Sequence, residues 1–372
     1  MRQARACRGN CVDPVSQPSP PEVAGRHQPP PGFVGVDRFL VHEIEARALA
    51  YALERGLIDC LAGEPRVPPA ALSDLAGLRT ARLDLLLALL TAGGVVETHE
   101  GGALALTTAF RAMLPYRDLL SAKLDFLAIV AEDLRGLFPA LIEDLPRFME
   151  RSRTFNLFRY DLCLTVTPEN LVAARRWVGY TTCLTRHEAG PCLDRIDLAG
   201  HRRLLDLGGN SGEFAAQACA RAGHLEATVV DLPVVCALGR ENLADRPEAS
   251  RVVFRPADMR RDPLPEGHDL VTFKSVLHDW PDPDAFGLIA KAAAVLAPGG
   301  SLVVFERARL ALRERRTDYA SAANLVFEPF FREANLYRDA LDRAGLVAVS
   351  TETVMLETPF HLVRARKPGR AP

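Results

Sequence analysis

The chain has 372 residues, 48% hydrophobic and 25% charged, with 45 basic against 47 acidic side chains and a formal charge of −2. A composition this close to the globular average excludes wholesale disorder. So even a charge balance gives no electrostatic footprint for nucleic acid or an anionic membrane surface.

At roughly 100–200 residues per domain, the length predicts two domains, or one large one with an accessory part. The longest nearly unbroken apolar stretch, Leu85–Val96, contains Thr91, Gly93 and Gly94 and falls short of the roughly 20 residues a membrane span needs. Arg2, Arg5 and Arg8 have no apolar core behind them, so no secretory signal is read there. The eight cysteines, at 7, 11, 60, 163, 183, 192, 219 and 236, form no CxxC pair and no cluster at zinc spacing. They read as reduced thiols of a cytoplasmic protein, with no metal site. Only Lys123, Lys274, Lys291 and Lys367 are lysines, so a lysine at a motif position carries weight.

Residues 1–32 hold seven prolines and almost no apolar periodicity, and read as a disordered leader or an upstream start. Residues 33–115 turn helical and then briefly extended. Phe39, Leu40, Ile44, Ala48, Tyr51, Ala52 and Leu57 recur at steps of three and four, predicting one buried helical face. Ala70–Ala76 and Arg82–Leu90 predict two short helices. Val95–Glu97 and Leu104–Leu106 predict a hairpin around Glu100-Gly101-Gly102. Helices followed by a hairpin are the layout of a winged helix, so DNA binding has to be weighed. Seven arginines against ten acidic residues in this segment would repel phosphate, which argues against it.

Residues 116–196 are mostly helical and rich in aromatics, among them Phe126, Phe138, Phe148, Phe155, Phe158, Tyr160, Trp177 and Tyr180. Most serve helix packing, with room for a few to line a pocket. Residues 197–372 make the last expected unit. There β-rich runs at Arg203–Leu207, Ala227–Leu232, Arg251–Phe254, Leu270–Phe273 and Ser301–Glu306 alternate with helices near 212–222, 234–244, 284–296 and 318–344. Such alternation predicts an α/β fold with a doubly wound parallel sheet. Only Glu357-Thr358-Pro359 separates Val347–Leu356 from Phe360–Arg364, too few residues for a crossover, so the last strand should pair antiparallel.

The chemistry concentrates at the strand ends. Leu204-Leu205-Asp206-Leu207-Gly208-Gly209-Asn210-Ser211-Gly212 closes a buried strand in a glycine-rich turn, where the backbone can approach a ligand closely. Asp206 before that turn suits a cationic ligand, such as an ammonium or a sulfonium, better than a phosphate. Asp231, in Val229-Val230-Asp231-Leu232-Pro233, stands where a ribose diol is gripped, or equally where the next helix is capped. Ala257-Asp258-Met259 places a third acid at a third strand end. The fourth run, Phe273-Lys274-Ser275-Val276-Leu277-His278-Asp279-Trp280-Pro281-Asp282, is the most specific. Ligands bind at the carboxyl ends of such strands. His278 there is a candidate for taking a hydroxyl proton, or simply a packed histidine.

These four runs, in this order and spacing, resemble the S-adenosylmethionine-dependent small-molecule O-methyltransferases of the caffeate and hydroxyindole type, including bacterial natural-product members. The resemblance covers about residues 35–367. It implies a Rossmann-like class I methyltransferase sheet preceded by a winged-helix-like dimerisation domain, hence a homodimer acting on a small-molecule acceptor. Carried over residue by residue, it implies that Gly208, Asp231, Leu232, Asp258, Met259 and Lys274 contact S-adenosylmethionine, joined by Asp206 on the charge reasoning above. It also implies that His278 is the general base and that Glu306, in Val304-Phe305-Glu306, orients it. Asn210 replaces the usual third glycine of the turn, and Phe331 stands where a second histidine-flanking glutamate is expected, with Glu333 two residues on. A methionine common near the acceptor is replaced around Thr181-Thr182.

The resulting expectation is O-methylation of a hydroxyl on an aromatic or polyketide-like molecule. The alternative is C- or N-methylation on the same fold, including a metal-dependent α-keto-acid C-methyltransferase with His278 and Asp279 as ligands and only His361 downstream as a third.

Overall fold

The computed structural model describes residues 30–313 and 317–369. Most of the expected leader, with Cys7 and Cys11, lies outside the described residues. The backbone first winds as a 3-10 helix, Gly32–Phe39, burying Phe33, Val36 and Phe39. Helices α1 (Glu43–Glu54) and α2 (Leu57–Gly63) follow. The single buried face expected over 39–57 is corrected here. Gly56, at φ 73, separates α1 from α2, and Ile44 is 57% exposed rather than buried. A left-handed glycine turns the chain, so the periodicity crosses elements instead of following one helix.

Helices α3 (Pro69–Ala76) and α4 (Thr80–Ala92) lead to β1 (Val96–Thr98) and β2 (Leu104–Leu106), which pair antiparallel with Val96 opposite Leu106. After α5 (Thr108–Arg111) come α6 (Arg117–Glu143), α7 (Leu145–Arg151), α8 (Arg153–Leu157) and α9 (Pro168–Leu193). Asp133 of α6 is buried and accepts from the N–H groups of Arg153 and Thr154, so the start of α8 is tied to α6. The long helices α6 and α9 carry aromatic side chains to the carboxyl edge of the sheet.

The remaining elements are β3 (Arg203–Leu207), α10 (Glu213–Arg221), β4 (Glu226–Asp231), α11 (Pro233–Leu243), β5 (Val252–Pro256), β6 (His268–Lys274) and α12 (Asp282–Val295). Then follow β7 (Leu296–Arg307), α13 (Ala322–Leu325), α14 (Ala334–Arg343), β8 (Val347–Met355) and β9 (Pro359–Arg366). Seven strands form one sheet in the order β5-β4-β3-β6-β7-β9-β8. β3 to β7 run parallel, and β9 is antiparallel to both β7 and β8. Leu204, Leu205, Leu207, Val271 and Phe273 are fully or almost fully buried, as strands covered on both faces require. The chain starts at β3 and winds first one way, then the other from β6. A crevice opens at the carboxyl ends where that reversal occurs.

The continuous helix expected over 318–344 is also corrected. The segment holds only the single turn α13, a 3-10 turn at Glu328–Phe330 and then α14. Pro329 has no N–H to continue a helix, and Glu333 is extended at ψ 148. The break turns Phe327, Phe330 and Phe331 toward the crevice.

Candidate active site

After β3 the chain turns through Gly208 to Gly212. Gly208 has φ 66, and a Cβ on it would come within 2.3 Å of Val276 Cγ2, so only glycine fits. Asn210 itself takes φ 53, a left-handed conformation that asparagine tolerates through local hydrogen bonds. Its N–H donates to Asp231 Oδ2 at 2.8 Å, its Oδ1 accepts from Ser211 N at 2.7 Å, and its Nδ2 donates to Thr181 Oγ1 at 3.1 Å. The missing glycine is thereby absorbed.

Asp231 ends β4 and also accepts from Leu232 N at 2.7 Å. Burial, its largest influence, pushes its pKa up to about 6 against these two hydrogen bonds. It does not cap α11, whose N-cap is Leu232; its carboxylate faces back to the glycine turn. Asp258 follows β5. Burial opposes its charge, yet hydrogen bonds from Arg260 hold its pKa below the ordinary value. The Arg260 guanidinium lies over the Trp280 ring, 3.9 Å from its centroid.

From Lys274 the chain passes through Ser275, at φ 53, into a 3-10 turn, Leu277–Asp279, that carries His278. His278 Nδ1 donates to Glu306 Oε2 at 2.6 Å, while Glu306 Oε1 accepts the N–H groups of Val276 and Leu277, each at 2.7 Å. Burial disfavours the charged imidazole, but Glu306 and Asp279 outweigh it and raise the pKa of His278. The same pairing holds Glu306 below its ordinary range despite complete burial. Nε2 is the nitrogen left over, 3.5 Å from Asp279 Oδ1, and Tyr160 Oη donates to Asp279 Oδ2 at 3.1 Å. Phe331 meets the His278 ring edge-on. Glu333 is exposed at the N-cap of α14 and does not line the crevice at the strand ends.

Lys274 is committed to structure. Its Nζ donates to Thr185 Oγ1 at 3.1 Å and pairs with Glu188, which also pairs with Arg307 at 2.5 Å. Burial opposes the Glu188 charge, yet Arg307 and Lys274 keep its pKa well below the carboxylate range. All four lysines are used in this way. Lys123 pairs with Asp37 at 2.7 Å, Lys291 donates to backbone carbonyls of the loop after β5, and Lys367 donates to those at the end of α12. Glu188 and Arg307 were not singled out from sequence. A signal existed, because Glu188 falls on the same helical stripe as Trp177, Thr181 and Leu184.

The strand ends, α6, α9 and the 323–331 segment enclose a cavity of about 550 Å³, the size of a small-molecule site. Gly208, Asp231, Leu232, Asp258, Met259 and Lys274 all line it, as do His278 and Asp279. Asp206, expected beside the cofactor, does not line the cavity. It is 1% exposed behind the turn, its Oδ1 accepts from Thr272 Oγ1 at 2.7 Å, and its Oδ2 has no partner. Burial pushes its pKa up to about 7. At the other end Phe126 stacks on Tyr180 at 4.3 Å between centroids and on Phe327 at 6.3 Å. His361 does not line the cavity. Among the described residues, the group of metal-ligating side chains with atoms within 4.8 Å of one another is Asp118, Cys183 and His187, whose carboxylate also carries Arg186.

Residues 184–346 match the family model described as an O-methyltransferase domain. The chain is 31% identical over 265 residues to the 3-hydroxy-5-methyl-1-naphthoate 3-O-methyltransferase of Streptomyces sahachiroi, covering 70% of this chain and 73% of that one. The chain belongs to this O-methyltransferase family. It is an S-adenosylmethionine-dependent methyltransferase. The 3-amino-4-hydroxybenzoate 4-O-methyltransferase of Streptomyces cremeus is 28% identical over 340 residues, 86% of each chain. Human N-acetylserotonin methyltransferase, solved with S-adenosylmethionine, shares the fold at a TM-score of 0.62, with 21% identity over 88% of this chain and 94% of that one.

The cavity of this methyltransferase fits the cofactor. Gly208 leaves the turn open beside Val276 and Met259, which a Cβ would fill. Asp231 offers acceptor oxygens suited to a diol, and Leu232 and Met259 offer apolar surface suited to a flat base. No helix among the described residues is long and apolar enough to cross a membrane.

Proposed function

We propose that this methyltransferase O-methylates a hydroxyl of an aromatic or polyketide-like acceptor, with His278 as general base. The observation that carries this is the 2.6 Å contact of His278 Nδ1 with buried Glu306, which leaves Nε2 as the basic nitrogen on the cavity wall. S-adenosylmethionine, when bound, supplies a methyl group already activated on sulfonium sulfur. Asp231 would hold the ribose hydroxyls, and Leu232, Asp258 and Met259 the adenine end. Nε2 would take the acceptor's hydroxyl proton as the hydroxyl oxygen bonds the methyl carbon and the sulfur–methyl bond breaks, with S-adenosylhomocysteine as the leaving group. Glu306 would stabilise the imidazolium and fix its tautomer. The rings of Phe126, Phe155, Phe158, Tyr180 and Phe327 would hold a flat acceptor in place, and alignment supplies much of the acceleration.

We place the dimerisation unit at 33–115, a helical substrate-lining region at 116–196 and the catalytic domain at 197–372, in a cytoplasmic homodimer. Two of the relatives are named for acceptors in which a hydroxyl shares its ring system with a carboxylate, and such acceptors are the ones to try first. The test is a panel of hydroxybenzoates and hydroxynaphthoates incubated with methyl-labelled cofactor and read by mass spectrometry. An O-methyl product is expected. Methylation at carbon or nitrogen, or activity abolished by a chelator and restored by iron, would overturn the assignment.

A further inference from the structure

Arg332 follows Phe331 in the chain and is 7% exposed. Its three donor nitrogens all reach into the turn that carries His278. Nη1 donates to Leu277 O at 2.8 Å, Nη2 to Trp280 O at 2.5 Å, and Nε to Asp282 Oδ1 at 2.7 Å. Leu277 and Trp280 bracket His278 and Asp279. From the opposite side, Glu306 takes the N–H groups of Val276 and Leu277. The peptide groups of this turn are therefore gripped by an anion on their donor side and by a cation on their acceptor side. A planar guanidinium presents its donors in a fixed fork, so the two carbonyls and the carboxylate are held in one geometry, whereas an ammonium offers three freely rotating donors at a single point.

We infer that Arg332 is a positioning residue for His278, locking the 277–282 turn so that Nδ1 stays on Glu306 and Nε2 keeps its place at the cavity wall. The role of His278 as base, proposed above, is the reading on which its catalytic consequence rests. The rigidity it imposes does not depend on that reading. Phe331 and Arg332 then act as one unit: the first packs on the imidazole ring, the second clamps the backbone that carries it.

The test compares the unaltered protein with Arg332→Gln and Arg332→Lys. A hydrogen bond as short as His278–Glu306 gives a proton resonance far downfield of the amides, assigned by its loss in His278→Gln. Arg332→Gln should broaden or abolish that resonance while S-adenosylhomocysteine affinity by calorimetry stays within about threefold. Arg332→Lys, which can restore one of the bonds, should recover the resonance in part. On the phenolic acceptor found in the panel above, turnover should fall roughly 10- to 100-fold in Arg332→Gln, with little change in the acceptor's KM. An unchanged resonance in a folded Arg332→Gln protein would overturn the inference. So would equal losses of cofactor affinity and turnover, which mark a general structural role. If Arg332→Gln does not fold, the same outcomes are read from Arg332→Lys. Should His278→Ala keep full turnover while Arg332→Gln still loses the resonance, the base assignment fails and the positioning role stands.

Discussion

Phe331 stands edge-on to His278, with ring centroids 5.7 Å apart and planes at 84°, where a second carboxylate is expected from the family pattern. His278 therefore has Glu306 on Nδ1 and an apolar ring on one edge. Phe331→Glu would place an extra negative charge beside the imidazole and raise its pKa further, by roughly 1–3 units if the charge stays within about 4–6 Å. A base must be neutral to accept a proton, so the rising limb of the pH–rate profile should move to higher pH. A profile unchanged by the substitution would show that Phe331 does not set the basicity of His278.

His278→Ala should leave cofactor affinity unchanged and lower turnover on a neutral phenol by about 10²–10⁴-fold. Glu306→Gln should lose less, because the base remains, although Val276 and Leu277 N–H keep only a neutral acceptor. Acceptors already ionised at the assay pH should lose least. Steady-state rates on phenols of graded acidity check this. Full turnover on a neutral phenol would reduce His278 to a packed histidine.

Asp231 has its pKa pushed up to about 6 by burial, and only its carboxylate form accepts two hydroxyl hydrogen bonds. S-adenosylhomocysteine should therefore bind well above about pH 7 and progressively worse as pH falls through 6. Asp231→Ala should weaken binding roughly 10- to 100-fold, the loss of hydrogen bonds to a charged group at about 1.5–3 kcal/mol. It should also flatten the pH dependence. Calorimetry across pH measures both effects.

Asp206 carries an acidic proton to about pH 7 in the fold, against an ordinary value of 3.8. With the folded pKa raised, its stabilising share is fully present below the unfolded value. That share is lost as pH rises through about 7. Asp206→Asn keeps the shape but cannot ionise, so it should raise the melting temperature near pH 8, with the gain fading toward pH 4. About three pKa units correspond to an upper limit of roughly 4 kcal/mol. A melting temperature that falls equally at both pH values would contradict this.

The exposed apolar residues Val41, Ile44, Leu75 and Leu85, between 41% and 57% accessible in the single chain, belong to the 33–115 segment. Sedimentation should give a dimer at micromolar concentration, dissociated by Ile44→Glu with Leu85→Glu. A monomer, or tight duplex DNA binding at physiological salt, would contradict the assignment of this unit.

The strand runs were legible in the sequence because a sheet covered on both faces needs continuous apolar segments; Asp231 ends β4, and His278 lies in the turn that follows β6. The antiparallel last strand followed from a three-residue connection that no crossover can use. Other features depended on contacts between residues far apart in the chain. Asp206 lies opposite Val229, two residues short of Asp231 in the register, and only Asp231 faces the cavity, because the glycine turn folds over Asp206. The expected helix over 318–344 broke at Pro329, and that break is what brings Phe327 and Phe331 to the site. Glu188, Arg307 and Arg332 carry no local signature strong enough to assign them a role. Each is buried against partners 50 or more positions away, such as Arg307 for Glu188 and Leu277 for Arg332. Local periodicity thus determined the elements and the residues at their ends. Contacts between distant segments, among them the glycine turn over Asp206, the break at Pro329 and the buried charge pairs, decided which of those residues face the cavity and which support it.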